Sequence, residues 1–141
     1  MPEENKAIVR RFYEEFANQG IQSVAEELVA SDFVDHNPPS PEFPPGLEGL
    51  KQVFAMFLVA FPDMNLTVED QIAEGDKVVT RLTTRGTHKG EFMGIPPTGK
   101  TMTIGLIDIF RIEGGQLAEH WGESDTMGMM QQLGLGQSPG E

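Results

Sequence analysis

The stretch Thr101 to Asp125, TMTIGLIDIFRIEGGQLAEHWGESD, limits what this chain can fold into more than any other. Apolar and β-branched residues recur in it at every second position, and Gly114-Gly115 interrupts the run. That is the pattern of two strands joined by a tight turn. Side chains alternate along a strand, so Met102, Ile104, Leu106, Asp108, Phe110 and Ile112 share one face. Five of these six are apolar, which makes that face the buried one. Asp108 stands in its middle. A bare carboxylate there is expensive, so it must be paired, hydrogen-bonded or protonated. A polar group in an apolar wall is also what the inside of a ligand pocket presents.

The register of the hairpin decides what Asp108 meets. A two-residue loop would pair Phe110 with Glu119 and Asp108 with Trp121. A three-residue loop with a left-handed glycine would pair Arg111 with Glu119, Phe110 with His120 and Asp108 with Gly122. The second register sets opposite charges across from each other, worth about 0.2–1 kcal/mol. It also keeps Glu119 off the buried face, and it is the expected one. His120 then shares a face with Asp108, and Gly122 leaves space between the strands.

The rest of the chain reads as helices first and strands later. Asn5 to Ala17 carries Ile8, Val9, Phe12 and Phe16 at helical spacing, and Ser23 to Leu28 makes a shorter helix. Ser31-Asp32 breaks it. A proline-rich loop through Pro45 follows, with Asp35 and His36 where a strand or turn emerges from the core. A carboxylate beside an imidazole can do acid–base work, and it can equally serve only to bond the turn backbone. Gly46 to Phe61 is a third helix whose apolar stripe includes Phe54, Phe57 and Phe61. These can be plain core, or the floor of an apolar pocket. Met64 to Glu74 and Lys77 to His88 form a hairpin about Gly75-Asp76. Turning Val78, Thr80, Leu82 and Thr84 inward brings His88 to the pocket mouth; the opposite assignment would put Arg81 inside. Lys89 to Lys100 is a loop, either a lid or a simple connection. Thr126 to Leu133 is a last short helix.

Segregated helices and strands mean an α+β fold: a curved antiparallel sheet with three N-terminal helices on its concave face, forming a cone around an internal pocket. Residues 1–134 form one domain, and 135–141 a frayed tail. A net charge of −12 argues against nucleic acid and anionic membrane as partners. The chain has no cysteine, so disulfides and thiolate chemistry are excluded. No apolar run approaches membrane length and no signal peptide is evident, so a cytoplasmic protein is expected. Three scattered histidines make a poor metal set, and neither a nucleotide fingerprint nor a nucleophile elbow is present.

Several stretches together resemble the SnoaL-like polyketide cyclase family, within the cone fold shared with nuclear transport factors and ketosteroid isomerase. They are Ile8 to Tyr13 (IVRRFY), Gly86 to Gly90 (GTHKG), Gly94 to Gly99 (GIPPTG), Phe110 to Gly115 (FRIEGG), His120 and Gln132 to Gly134. The resemblance implies an intramolecular aldol ring closure run by acid–base residues, with no cofactor and no metal. It puts the histidine of the family's central strand at Asp108 and the family's acid–base aspartate at Gly122. The expected catalytic set is Asp108, His120, His88 and Asp35. His36, Phe54, Phe57, Leu106, Phe110 and Gly122 are expected to touch a small hydrophobic, carbonyl-bearing molecule. The apolar wall is expected to raise the Asp108 pKa toward the operating pH of a general base. The alternatives are a ligand-binding protein without catalysis and an epoxide-hydrolase-like enzyme. Ile107, Ile109 and Trp121 on the outer face predict a homodimer through the sheet.

Overall fold

The computed structural model describes residues 2–135; the expected tail lies, apart from Leu135, outside them. Helix α1 (Pro2–Arg11) has Glu3 and Glu4 in its first turn and Arg10 and Arg11 in its last, charges that suit the helix dipole. It continues into a π-helical segment, Phe12–Ala17, in which the Asn18 N–H reaches back to the Tyr13 carbonyl at 2.9 Å. Then come α2 (Gln22–Leu28), β1 (Val29–Asp35), α3 (Gly46–Ala60), β2 (Asn65–Glu74), β3 (Lys77–Thr87), β4 (Thr101–Glu113), β5 (Gln116–Ser124) and α4 (Thr126–Gln132).

The strands form one sheet in the order β1-β5-β4-β3-β2. The fold is the expected α+β cone, with one addition to its sheet. The four later strands are antiparallel neighbours, whereas β1 lies parallel to β5 and pairs Asp35 with His120. One face of the sheet is buried. Val78, Thr80, Leu82 and Thr84 on β3 face the same core as Met102, Ile104, Phe110 and Ile112 on β4. Phe12, Phe16 and Phe33 fill it from the helical side and from β1. Arg81 points outward and pairs with Asp70 at 3.0 Å.

The β4–β5 hairpin has the expected register, with Arg111 opposite Glu119, Phe110 opposite His120 and Asp108 opposite Gly122. The turn that delivers it differs from the expected three-residue loop. Gly114 and Gly115 form a two-residue turn, both at positive φ (58° and 78°), and Ile112 pairs with Leu117. Ala118 is then an extra, bulged residue on β5, and it restores the pairing that puts His120 inside.

Candidate active site

Asp108 lies on the inner face, 8% exposed. Opposite it on β5 there is no side chain, and two positions away His120 turns its ring in. His120 Nε2 donates to Asp108 Oδ1 at 2.7 Å. Its Nδ1 donates to Asp35 Oδ1 at 2.8 Å, so the parallel pairing of β1 with β5 delivers a second carboxylate to the same ring. The Asn37 N–H also donates to Asp35 Oδ1, at 2.9 Å, closing a turn at the end of β1. On the far side the Tyr13 hydroxyl donates to Asp108 Oδ2 in a short bond. The four side chains form one hydrogen-bonded chain: Tyr13, Asp108, His120, Asp35.

Electrostatics follow from this geometry. Burial works to lower the His120 pKa, but the bonds to Asp108 and Asp35 and the attraction of both carboxylates outweigh it and raise it to about 9. The ring is therefore an imidazolium at neutral pH, donating from both nitrogens. Burial also works to raise the Asp35 carboxyl. The bonds from His120 and the Asn37 N–H, with the pull of His120 and His36, hold it below its ordinary range instead. Tyr13 is pushed well above the usual phenol, first by its burial and then by the neighbouring Asp108 carboxylate.

Apolar rings wall the chain. Phe110 packs on His120 at 4.9 Å between centroids, on Tyr13 at 6.1 Å and on Phe33 at 6.4 Å. Asp35 forms part of the lining of a cleft of about 490 Å³ between β1, α3 and the proline-rich loop. Phe33, Leu50 and Val53 give it apolar walls, and Pro38, Phe43 and Pro44 close one side. The proline-rich loop is thus part of the wall of this cleft, a placement its composition did not announce.

The expected site residues do not all gather here. His88 is fully buried at the other end of the sheet. Thr80 faces Asp108 across β3 and β4, and His88 lies eight residues further along, more than about 20 Å away at roughly 3.3 Å per residue. There it packs on Phe61 and Phe92, and its Nδ1 accepts from the Thr98 N–H at 3.3 Å, tying down the loop 89–100. His36 stacks on Trp121 at 4.9 Å on the outer side and bonds Glu119 at 2.7 Å. Phe54 packs on Phe12 and Phe16, Phe57 on Phe92, and Leu106 lies half-buried against the core. Gly122 faces the Asp108–His120 pair, and its N–H donates to Asn37 Oδ1 at 2.9 Å. Tyr13 escaped the sequence reading. The available signal was a lone hydroxyl in the apolar stripe of the first helix, since a buried tyrosine needs a partner.

Fold and site together define a cone-shaped α+β protein with a chain of ionisable side chains inside the cone. It belongs to the SnoaL-like polyketide cyclase family, whose model matches residues 7–133. Aklanonic acid methyl ester cyclase DnrD of Streptomyces peucetius is 28% identical over 134 residues, covering 90% of this chain and 88% of the relative. Among solved structures, TsrD from Streptomyces laurentii is 32% identical with a TM-score of 0.84, covering 94% of this chain and 96% of its own. IdmH from Streptomyces antibioticus, a candidate polyketide cyclase, is 38% identical with a TM-score of 0.81, covering 93% and 99%.

The glycine at position 122 has a physical reason here. A Cβ on Gly122 would fall 2.6 Å from Asp108 Oδ1 and 2.9 Å from His120 Nε2. The Asp108–His120 bond occupies the space that the resemblance assigns to an aspartate side chain.

Proposed function

We propose that this protein is a cofactor-independent cyclase that closes a carbon ring by an intramolecular aldol step on an apolar, carbonyl-bearing, polyketide-like substrate. The observation that carries this reading is the hydrogen-bonded chain from Asp35 through His120 to Asp108, meeting an apolar cleft at Asp35. The reaction asks little else of the protein. A carboxylate takes a proton from the carbon beside one carbonyl. The carbanion attacks a second carbonyl carbon, and the new alkoxide oxygen takes a proton back. One C–H bond and the π bond of the attacked carbonyl are broken, one C–C and one O–H bond are formed, and no electrons leave the substrate. Positioned proton transfer of this kind contributes about 10²–10⁴-fold.

The family and the name of the cyclase relative support a polyketide-type substrate. Aklanonic acid methyl ester is therefore the first assay probe, with ring closure followed as an isomerisation by chromatography and mass spectrometry. The wild-type chain is expected to turn it over, and Asp35→Asn and His120→Gln to lose at least about 100-fold in kcat/KM with folding retained. No turnover of this ester, nor of a panel of related polyketo esters, would remove the cyclase reading. The same proposal includes self-association through the outer face of the sheet.

A further inference from the structure

The geometry points to Asp35 as the carboxylate that meets the substrate, and to Tyr13 as a positioning residue that holds Asp108 in place behind the His120 ring. This rests on the acid–base reading above and divides the labour within it.

The division follows from which atoms are already engaged. Asp108 has one oxygen on His120 and the other on Tyr13. His120 uses both ring nitrogens. Both oxygens of Asp108 and both nitrogens of His120 are thus engaged within the chain. Asp35 differs: Oδ1 accepts from His120 and from the Asn37 N–H, while among the described residues Oδ2 accepts no hydrogen bond. Asp35 is also the member of the chain that lines the cleft, where Asp108, His120 and Tyr13 do not. Its side chain is twice as open as that of Asp108, 24% against 12%.

Charge explains why a second carboxylate and a phenol stand behind it. When Asp35 takes the substrate's proton it loses its own charge. The imidazolium would then be buried without a counter-ion if Asp35 were its sole partner, and such a state is costly. Asp108 remains as the counter-ion, so His120 keeps both its proton and its orientation. Asp35 can then return its proton to the new alkoxide. Tyr13 bonds the second oxygen of Asp108 from the π-helical segment and fixes the carboxylate's plane. The groups that face His120 are Asp35 from β1 and Asp108 from β4. Tyr13 acts through Asp108, and His36 lies beside Asp35 at the end of β1.

The test reads the chain without relying on turnover. Tyr13→Phe keeps the ring and removes the donor. In the full-length protein with ¹⁵N-labelled histidine, the wild-type His120 ring is expected to titrate well above an ordinary histidine, and Tyr13→Phe to lower that midpoint by about one pH unit, a tenfold change in proton affinity. Tyr13 is the chain's one tyrosine, so biosynthetic 3-fluorotyrosine labels this position alone and serves if the phenylalanine variant does not fold. Its ¹⁹F resonance is expected to shift as His120 titrates. A His120 midpoint unchanged in Tyr13→Phe, or a fluorine signal blind to it, would overturn the positioning role. For Asp35, carbodiimide coupling with glycine ethyl ester and peptide mapping is expected to modify Asp35 and spare Asp108. The reverse pattern would overturn the assignment, whether or not the ester probe turns over. In the turnover assay, Asp108→Asn is expected to retain at least about tenfold more kcat/KM than Asp35→Asn. An equal or larger loss in Asp108→Asn would also count against it.

Discussion

At the scale of single residues, Gly122 and the Asp108–His120 bond are one constraint seen from two sides. A methyl group at 122 has no room while the bond stands, because its nearest neighbours are the two bonded groups themselves. Gly122→Ala is expected to cost about 1–3 kcal/mol of stability, the usual range for overpacking, and to bring the His120 titration down toward an ordinary histidine. Denaturant unfolding and histidine NMR of the variant check both. The pH dependence of stability follows from the same bonds. His120 is raised in the fold from 6.5 to about 9, so its contribution is complete below the unfolded value and is lost as pH climbs through the folded one. At about 1.4 kcal/mol per unit the loss is on the order of 3 kcal/mol. Asp35 is depressed, so its contribution is present above its ordinary 3.8 and is lost as pH falls through the folded value. Stability is therefore expected to be highest between roughly pH 4 and 6.5, with urea midpoints falling on both sides. Asp108 and His120 were legible in the sequence because strand alternation and cross-strand pairing are local rules. Tyr13 was not, since its hydroxyl finds Asp108 across 95 residues of sequence.

At the scale of elements, the site depends on two irregularities and one non-local pairing. Ala118 is the extra residue that converts a two-residue turn into the register carrying His120 inward. Deleting it would join Leu117 directly to Glu119, keep Arg111 opposite Glu119 and leave His120 on the inner face, since the remaining residues then pair one to one. The deletion is expected to keep the raised His120 titration and to cost less than about 4 kcal/mol, the scale of a broken buried network; histidine NMR and a thermal melt by circular dichroism read the two. The correct register was legible from the Arg111 and Glu119 charges, which meet at 2.6 Å; the bulge was not, because a loop of three residues satisfies the same charges. The π-helical segment was equally hidden, as Ile8, Val9, Phe12 and Phe16 fit a regular helix too. Strand β1 was only half visible. Its sequence, VASDFVD, neither alternates cleanly nor ends in a hairpin turn, and its partner strand lies near the other end of the described chain. Parallel pairing leaves no local turn for a sequence to show, yet it is what sets Asp35 against His120.

At the scale of the whole molecule, the outer face of the sheet is where the proposed self-association is decided. Ile107 is 46% exposed, and Ile109 and Trp121 lie beside it in a shallow cleft of about 520 Å³ that also contains Lys77 and Glu123. Helix α4 leaves this patch open. Its Gln132 side chain bonds the backbone of Thr103 past the end of β5, and Met129 and Leu133 turn into the core. A second copy fits the patch better than a strongly charged partner does. The cleft is apolar at its centre and its lining carries one charge of each sign, so a two-fold axis can bring Lys77 of each copy to Glu123 of the other. The net charge of −12 works against this at long range. Two copies repel each other through solvent, and that repulsion is screened once the Debye length shrinks to about 10 Å at roughly 0.1 M salt. Association is therefore expected to tighten as salt rises from about 0.01 M to about 0.15 M, opposite to an interface held by attraction between oppositely charged surfaces. Ile107→Glu places a like charge at the centre of the contact on both copies. It is expected to weaken the dimer by at least about tenfold, while leaving the Tyr13–Asp108–His120–Asp35 chain on the other face untouched. Sedimentation velocity at micromolar concentration across the salt series distinguishes the cases. A wild-type monomer at every salt concentration removes the sheet-face dimer, and a dimer that persists in Ile107→Glu moves the interface to another surface.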